Sequence, residues 1–213
     1  MAAVADGAGS ASLAEVGAQI AARKAVEVFS ANGKTSGDDK SIRSSLAGAL
    51  SEAQKAVRAT ASARQVEVGE LATTLILVVA TPALVGAAQL GDGIVVIRDA
   101  AGNITGVTTP ESGEHVNETT FLNARRDLKH AQMVLWRGSP THVAVMSDGL
   151  QRLALQMPSG KPHGPFFTPL FNFLSNMVDS TQAQEQLEEF MGSPRVTGNT
   201  TDDLTLLLFG LVP

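Results

Sequence analysis

Aspartate recurs in this chain where short apolar, strand-like runs meet turns, and this pattern constrains the fold more than any other feature. Three of these aspartates precede a glycine and the fourth opens the apolar run 204–209, at Asp6-Gly7, Asp92-Gly93, Asp148-Gly149 and Asp202-Asp203. Carboxylates that are distant in sequence can converge when their strands join one folded structure. An oxygen-only cluster of this kind suits a hard divalent cation such as Mg²⁺ or Mn²⁺. The pattern therefore indicates metal-assisted catalysis.

Asp-Gly is also a common turn dipeptide, so each pair taken alone is more typical of a turn than of a metal site. The glycines fit both interpretations, because glycine permits positive φ in a turn and also leaves room for a phosphate beside a metal. Thr73 and Thr74 are more typical of strand packing than of substrate contact. The order and spacing of all the pairs together favour a functional site.

Two amphipathic helices are expected in the first third of the chain, on one face of a sheet. Leu13, Val16, Ile20 and Val28 share a helical face, on which Gly17 and Ala21 permit close packing. A second stripe consists of Ile42, Leu46, Ala49, Leu50, Ala53, Ala56 and Val57. The polar residues 32–39 between the two stripes predict a loop.

From residue 71 the apolar period becomes that of strands. Strands are predicted at 71–80, 83–90, 94–99, 104–109, 133–137, 142–146 and 204–209, with 133–137 and 142–146 as an antiparallel pair around Gly138. Two helices are predicted between residues 146 and 204, one with Phe167, Leu170, Phe171, Leu174 and Val178 on one face and one carrying Leu187, Phe190 and Met191. This order predicts an α+β fold in one domain, residues 1–213. The pattern leaves open whether the strands form one sheet or two.

The motifs occur in the order found in one enzyme family. Asp6-Gly7, the Thr-rich run 69–75, Asp92-Gly93, Asp148-Gly149 and Asp202-Asp203 together resemble the metal-dependent, type 2C Ser/Thr protein phosphatases. The resemblance spans residues 3–209 and is closest to the compact bacterial branch of the family. Residues 114–122 and the Phe-rich stretch 165–169 also resemble segments of that branch. It implies a four-layer α-β-β-α sandwich, with two antiparallel sheets face to face and helices on both outer faces.

The resemblance also implies roles for the aspartates. Asp6 would bridge two Mn²⁺ or Mg²⁺ ions, and the Gly7 carbonyl would complete the shell of the second ion. Asp148 and Asp202 would be the other acids of the first site, while Asp203 stands where the family often has Asn. Asp92 would help to bind a weaker third ion. The nucleophile would be metal-bound hydroxide, without a catalytic side chain or a phosphoenzyme intermediate.

Three departures from the family pattern bear on activity. Members with a complete site carry a strand before the first Asp-Gly, with an acid for the second ion and often an Arg that binds the substrate phosphate. Asp6 lies only five residues after Met1, so this chain is expected to lack that strand. Ala8 replaces a His proposed as general acid, and Gly93 replaces a Ser. Two hypotheses therefore stand: an active phosphatase, or a weak or inactive module that binds a phosphoprotein or kinase partner. High activity at low metal would require another carboxylate, such as Asp38 or Asp39.

Composition excludes other chemistries. The chain has no cysteine, which excludes disulfides, thiolate zinc sites and cysteine nucleophiles. A net charge of −5 argues against a nucleic-acid or anionic membrane partner. Residues 75–90 are too short and interrupted to span a bilayer, and no signal peptide is evident. The resemblance implies a cytoplasmic enzyme acting on a phosphorylated protein, with a cognate Ser/Thr kinase as a further partner.

The remaining polar residues give weaker signals. His115, His130, His142 and His163 lack ligand spacing such as His-Glu-x-x-His and are more typical of structural histidines. Ser147 is not in a nucleophile elbow, so a serine hydrolase has no support. The basic residues Arg125, Arg126 and Lys129 are typical of a solvated face.

Overall fold

The computed structural model describes residues 1–35, 37–110, 120–123 and 128–211 of the chain. Its strands are β1 (Ala2–Val4), β2 (Leu75–Thr81), β3 (Leu84–Leu90), β4 (Ile94–Asp99), β5 (Ile104–Gly106), β6 (Gln132–Arg137), β7 (Pro140–Met146), β8 (Leu155–Gln156), β9 (Lys161–Pro162) and β10 (Leu206–Gly210). The helices are α1 (Ala14–Asn32), α2 (Asp39–Arg64), α3 (Gln151–Ala154), α4 (Gly164–Asn176), α5 (Ser180–Met191) and α6 (Pro194–Thr197). No helix among these residues is long and apolar enough to cross a membrane.

The strands form two four-stranded antiparallel sheets and one small hairpin. The first sheet has the order β1-β2-β3-β6 and the second the order β10-β7-β4-β5, while β8 pairs with β9. Side chains of a strand alternate between its two faces, so each sheet presents one apolar face to the other sheet and one to helices. On β2, Ile76 and Val78 belong to the core between the sheets, whereas Leu75 and Leu77 face the helices.

Three apolar layers hold the fold together. The first lies between α1, α2 and the first sheet, and it includes Phe29, Leu46 and Leu50. The second lies between the sheets, where Val85, Val95 and Val145 meet. The third lies between the second sheet and the helices after β7, and it is built around Phe167, Phe171 and Ile94. The four-layer α-β-β-α sandwich predicted from the sequence is confirmed.

The two N-terminal helices lie on the first sheet, as their stripes predict. α1 buries its small residues Gly17, Ala21 and Ala25, and a Cβ at Gly17 would lie only 2.3 Å from the Leu71 carbonyl oxygen. Close packing therefore depends on glycine there. The predicted loop ends where the Asp38 carboxylate caps α2 by accepting a hydrogen bond of 2.7 Å from the Ser41 amide.

Three details of the sequence-based prediction are wrong. β6 and β7 do not pair: β6 lies beside β3 in the first sheet, whereas β7 lies between β4 and β10 in the second. The Gly138 turn therefore crosses between sheets, which strand patterns cannot distinguish from a hairpin. Val178 is fully exposed beyond the end of α4, because that helix stops at Asn176. The strand predicted from residue 71 also begins later, after a 3₁₀ turn at Val68–Leu71.

Candidate active site

Five residues singled out by sequence lie around one pocket at one end of the sandwich. Asp6 follows β1, Asp92 follows β3 and Asp148 follows β7, while Asp202 precedes β10. Together with Gly7, these four aspartates line a pocket of about 180 Å³, which Ala8, Gly9, Ser10, Thr74 and Phe121 complete. The two sheets thus bring together carboxylates from four separate parts of the chain.

Asp6 is positioned by the two threonines before β2. The Asp6 amide donates to Thr74 Oγ1 at 3.0 Å, and the Thr74 amide donates to the Asp6 carbonyl at 2.8 Å. The Thr73 hydroxyl donates to the same carbonyl at 3.0 Å. Both threonines are buried and bind the Asp6 backbone, which is the structural role that their sequence pattern favours, and Thr74 also lines the pocket. They fix the Asp6 backbone, and its carboxylate takes no part in these bonds.

Asp92 sits in a turn that a buried glutamine stabilises. Gln89 Nε2 donates to the Gly93 carbonyl at 2.7 Å and to the Gly91 carbonyl at 3.0 Å. Gly91 has φ of +104°, a conformation that a side chain would strain. Sequence reasoning missed Gln89, although a glutamine in an otherwise apolar strand was a signal that could have found it.

The segments that carry Asp148 and Asp202 pack against each other directly. A Cβ at Gly149 would lie 2.4 Å from the Asp203 carbonyl oxygen, so only glycine allows this approach. The buried Ser147 hydroxyl accepts a hydrogen bond of 3.2 Å from the Thr205 amide across the same junction. A contact within the protein therefore requires glycine at position 149.

The aspartates repel one another electrostatically. Burial, followed by the charges of Asp92, Asp202 and Asp6, raises the pKa of Asp148 to about 7. Burial and the charges of Asp202 and Asp203 also raise the pKa of Asp6, although the Ser147 hydroxyl partly opposes them. A carboxylate cluster without a cation favours protonation, and a bound dication would reverse that preference.

The donor set fits a hard divalent ion. Asp6 Oδ2 is buried without a hydrogen-bond partner, which is costly unless a cation or water satisfies it. Every side-chain donor from the four aspartates is an oxygen, as Mg²⁺ and Mn²⁺ prefer. Within the described part of the chain, however, no three acidic or histidine side chains are arranged to hold an ion as they stand. The four carboxylates nevertheless line one pocket and Asp6 Oδ2 is unpartnered, and like charges without a cation between them favour separation.

The other polar candidates lie elsewhere. His142 is buried at the end of β7 remote from Asp148, where its ring lies 2.8 Å from the Ser175 hydroxyl. His130 and His163 do not line the acidic pocket. Trp136 packs against the core between the sheets. His115, Arg125, Arg126 and most of the 114–122 motif lie outside the described residues.

A sequence model described as protein phosphatase 2C matches residues 1–192. The chain is also 35% identical over 211 residues to Serine/threonine-protein phosphatase 3 of Escherichia coli strain K12, covering 96% of this chain and 81% of that protein. The chain therefore belongs to the protein phosphatase 2C family of metal-dependent Ser/Thr protein phosphatases. The motif order predicted this assignment, and the relative favours an enzyme over an inactive binding module.

Solved structures share the fold at low sequence identity. The serine/threonine phosphatase Stp1 from Staphylococcus aureus matches with a TM-score of 0.66 at 14% identity, covering 99% of this chain and 83% of that one. The catalytic domain of the phosphatase PstP, in complex with two manganese ions, matches with a TM-score of 0.67 at 17% identity over 99% and 87% of the chains. These matches support the two-sheet sandwich.

Proposed function

We propose that this chain hydrolyses phosphoserine and phosphothreonine in proteins, with divalent ions held by the aspartates at the end of the sandwich. One observation carries the proposal: four carboxylates from both sheets line a single pocket, in which Asp6 Oδ2 is buried without a partner. Such a site has the charge to hold Mg²⁺ or Mn²⁺ beside a phosphoryl group. When bound, the ions would activate water for attack on phosphorus and neutralise the developing charge.

The ligand assignment follows from position and charge. Asp6, Asp148 and Asp202 would hold the first ion, as the family resemblance implies, and burial together with the charge of Asp202 raises the pKa of both Asp6 and Asp148. Asp6 and the Gly7 carbonyl would hold a second ion, and Asp92 would help with a third. We expect the second ion to bind more weakly than the first, since fewer protein charges offset its dehydration.

The chain's own residues orient this site. Thr73 and Thr74 fix the backbone of Asp6, and its carboxylate oxygen Oδ2 has no hydrogen-bond partner and so would be available to an ion. Gln89 holds the turn of Asp92, and the contact of Gly149 with Asp203 sets the distance between the two loops. Because metal-activated water would attack phosphorus directly, no phosphorylated side chain is expected during the reaction. Precise positioning and charge carry most of the rate enhancement in phosphoryl transfer.

The substrate and setting follow from the same proposal. A phosphorylated protein is the expected substrate and a cognate Ser/Thr kinase a further partner, in a bacterial cytoplasm. A larger polar pocket next to the acidic one supports a polypeptide substrate rather than a small metabolite alone.

Calorimetric titration with Mn²⁺ tests the ligand assignment. Asp148→Asn should weaken the tightest binding step strongly, because it removes one of three anionic ligands from a hard cation. Asp203→Asn is the matched control: it removes a neighbouring charge that does not line the pocket, so it should have a much smaller effect. Unchanged affinity in Asp148→Asn, or equal weakening in both variants, would overturn the assignment.

Hydrolysis of an aryl phosphate tests the reaction. Activity should require added Mn²⁺ or Mg²⁺, stop with a chelator and leave no phosphate on the protein. A trapped phosphoserine or phosphohistidine on the enzyme during turnover would contradict direct attack by water.

A further inference from the structure

A second, larger pocket adjoins the acidic one. Its volume is about 720 Å³, and its walls are Asp148, Gly149, Gln151, Arg152, Thr197, Gly198, Asn199, Thr200, Thr201 and Asp202. Asp148 and Asp202 belong to both pockets, so the two spaces meet at the proposed first ion. A chain that extends from a phosphoryl group at the ions can therefore enter this pocket directly. Hydroxyl and amide side chains on its walls suit peptide groups.

Arg152 is the one basic side chain among the described residues that line either pocket. Its guanidinium is exposed and makes no salt bridge or hydrogen bond to the described part of the chain. This is notable because Asp148, four residues earlier, lines the same pocket. The guanidinium is thus available to an external anion.

The backbone that carries Arg152 is firmly anchored. The neighbouring Gln151 side chain donates to the Asp92 carbonyl at 2.6 Å, which ties α3 to the turn of the acidic pocket. At the other end of α3, Ala154 is buried and its carbonyl accepts a bond of 2.7 Å from the His163 amide. The backbone of Arg152 is therefore fixed beside the pocket, and only its side chain has to be ordered on binding.

We propose that this polar pocket binds the polypeptide next to the phosphorylated residue, and that Arg152 selects an anionic group there. The planar guanidinium matches a carboxylate or a phosphate in bidentate geometry. The group would therefore be an Asp or Glu side chain or a second phosphate on the substrate. This subsite rests on the proposed phosphatase function, and it concerns a group other than the phosphoryl that is hydrolysed.

Initial rates with Mn²⁺ on four substrates test the proposal. Three are phosphopeptides of one sequence whose flanking positions carry neutral residues, glutamates or a second phosphoserine, and the fourth is p-nitrophenyl phosphate. The wild type should prefer one or both anionic peptides over the neutral peptide by about three- to tenfold in kcat/KM. The two anionic arms show whether a carboxylate or a phosphate is preferred. The preference should shrink at high salt.

Variants then assign the preference to Arg152. Arg152→Gln should abolish it, and Arg152→Glu should disfavour anionic flanks. Losses on p-nitrophenyl phosphate should be several-fold smaller than on the anionic peptides, because this substrate has no flanking chain. Arg195→Gln is the matched control, since Arg195 is an exposed arginine that lines a separate apolar cavity, and it should keep the preference.

The contrary outcomes are distinct. Equal losses of Arg152→Gln on all four substrates would place Arg152 at the reacting phosphoryl and overturn the subsite. An active wild type without a flank preference, or a preference that survives in Arg152→Gln, would also overturn it while leaving the phosphatase function intact. A wild type inactive on every substrate with saturating Mn²⁺ would refute the phosphatase function and the subsite together.

Discussion

Replacing Gly149 with alanine would test how the two aspartate loops are held together. The new Cβ would lie 2.4 Å from the Asp203 carbonyl oxygen and 3.2 Å from Leu204 Cδ2, whereas ordinary contact begins at 3.4 Å. The nearer atom belongs to the backbone, so it cannot rotate away. The Asp203 peptide must therefore retreat by about 1 Å, and Asp202 is attached to it.

The displacement should affect both stability and activity. Overpacking of this kind costs about 1–3 kcal/mol in the free energy of unfolding. A misplacement of about 1 Å at a catalytic centre can cost on the order of 100-fold in rate. We therefore expect Gly149→Ala to unfold at lower urea concentration, to bind Mn²⁺ more weakly and to hydrolyse p-nitrophenyl phosphate on the order of 100-fold more slowly.

Gly48→Ala is the matched control for this experiment. Gly48 lies within α2, and a Cβ there would meet nothing within 4 Å. Alanine should stabilise this helix by about 0.5–1 kcal/mol and leave the rate unchanged. If Gly149→Ala keeps the wild-type rate and Mn²⁺ affinity, the contact does not set the geometry of the site.

Three further predictions concern stability. Leu46→Ala should lower the free energy of unfolding, measured in urea, by about 2–5 kcal/mol, because removal of this fully buried side chain leaves a cavity between α2 and the first sheet. A loss below about 1 kcal/mol would mean that this layer is loosely packed. Gln89→Glu should lower the free energy of unfolding by about 2 kcal/mol or more and weaken Mn²⁺ binding, since it removes the hydrogen-bond donor to the Gly91 and Gly93 carbonyls. Gln89→Met removes the same donor without adding a charge, so it should lower the free energy of unfolding less. Equal effects of the two substitutions would contradict this account. Burial lowers the pKa of His142 below its ordinary value of 6.5, and the positive charge of Arg98 lowers it further. The stability that the neutral ring contributes is therefore complete above pH 6.5 and is lost as the pH falls below that value. Urea titrations should show a steeper loss of stability for the wild type than for His142→Gln as pH falls below about 6.5, and parallel curves would refute this coupling.

Local patterns predicted most of the elements but not how the strands are partnered. The predicted strand 94–99 coincides with β4, and both N-terminal helices appear where their stripes indicate. The pairing of strands was harder to predict, because β6 and β7 have similar apolar patterns yet lie in different sheets. Only the packing of two sheets against each other decides this, and that information is spread over residues far apart in sequence. The interpretation of residues 1–213 as one domain stays a prediction.

The acidic residues of the site were easier to predict than their supports. An aspartate before a glycine at a strand end is a local signal, and the four aspartates lie around one pocket. Thr74 and Gln89 act through hydrogen bonds to the backbones of Asp6, Gly91 and Gly93, which no short motif encodes. The role proposed for Arg152 could not be predicted from sequence either, because it depends on the acidic pocket beside which the fold places this side chain.

The positions of Asp38 and Asp39 bear on how a second ion can be held. Asp38 caps α2 through the Ser41 amide, and Asp39 pairs with Arg137 on β6. Arg137 lies opposite Leu84 at the start of β3, whereas Gln89 and the turn of Asp92 lie at the end of that strand, about 17 Å away at the usual rise per residue. Neither carboxylate can therefore replace an acid at the acidic pocket. Under the proposed ligand assignment, Asp6 and the Gly7 carbonyl would therefore hold the second ion without help from Asp38 or Asp39, and full activity would need a high metal concentration.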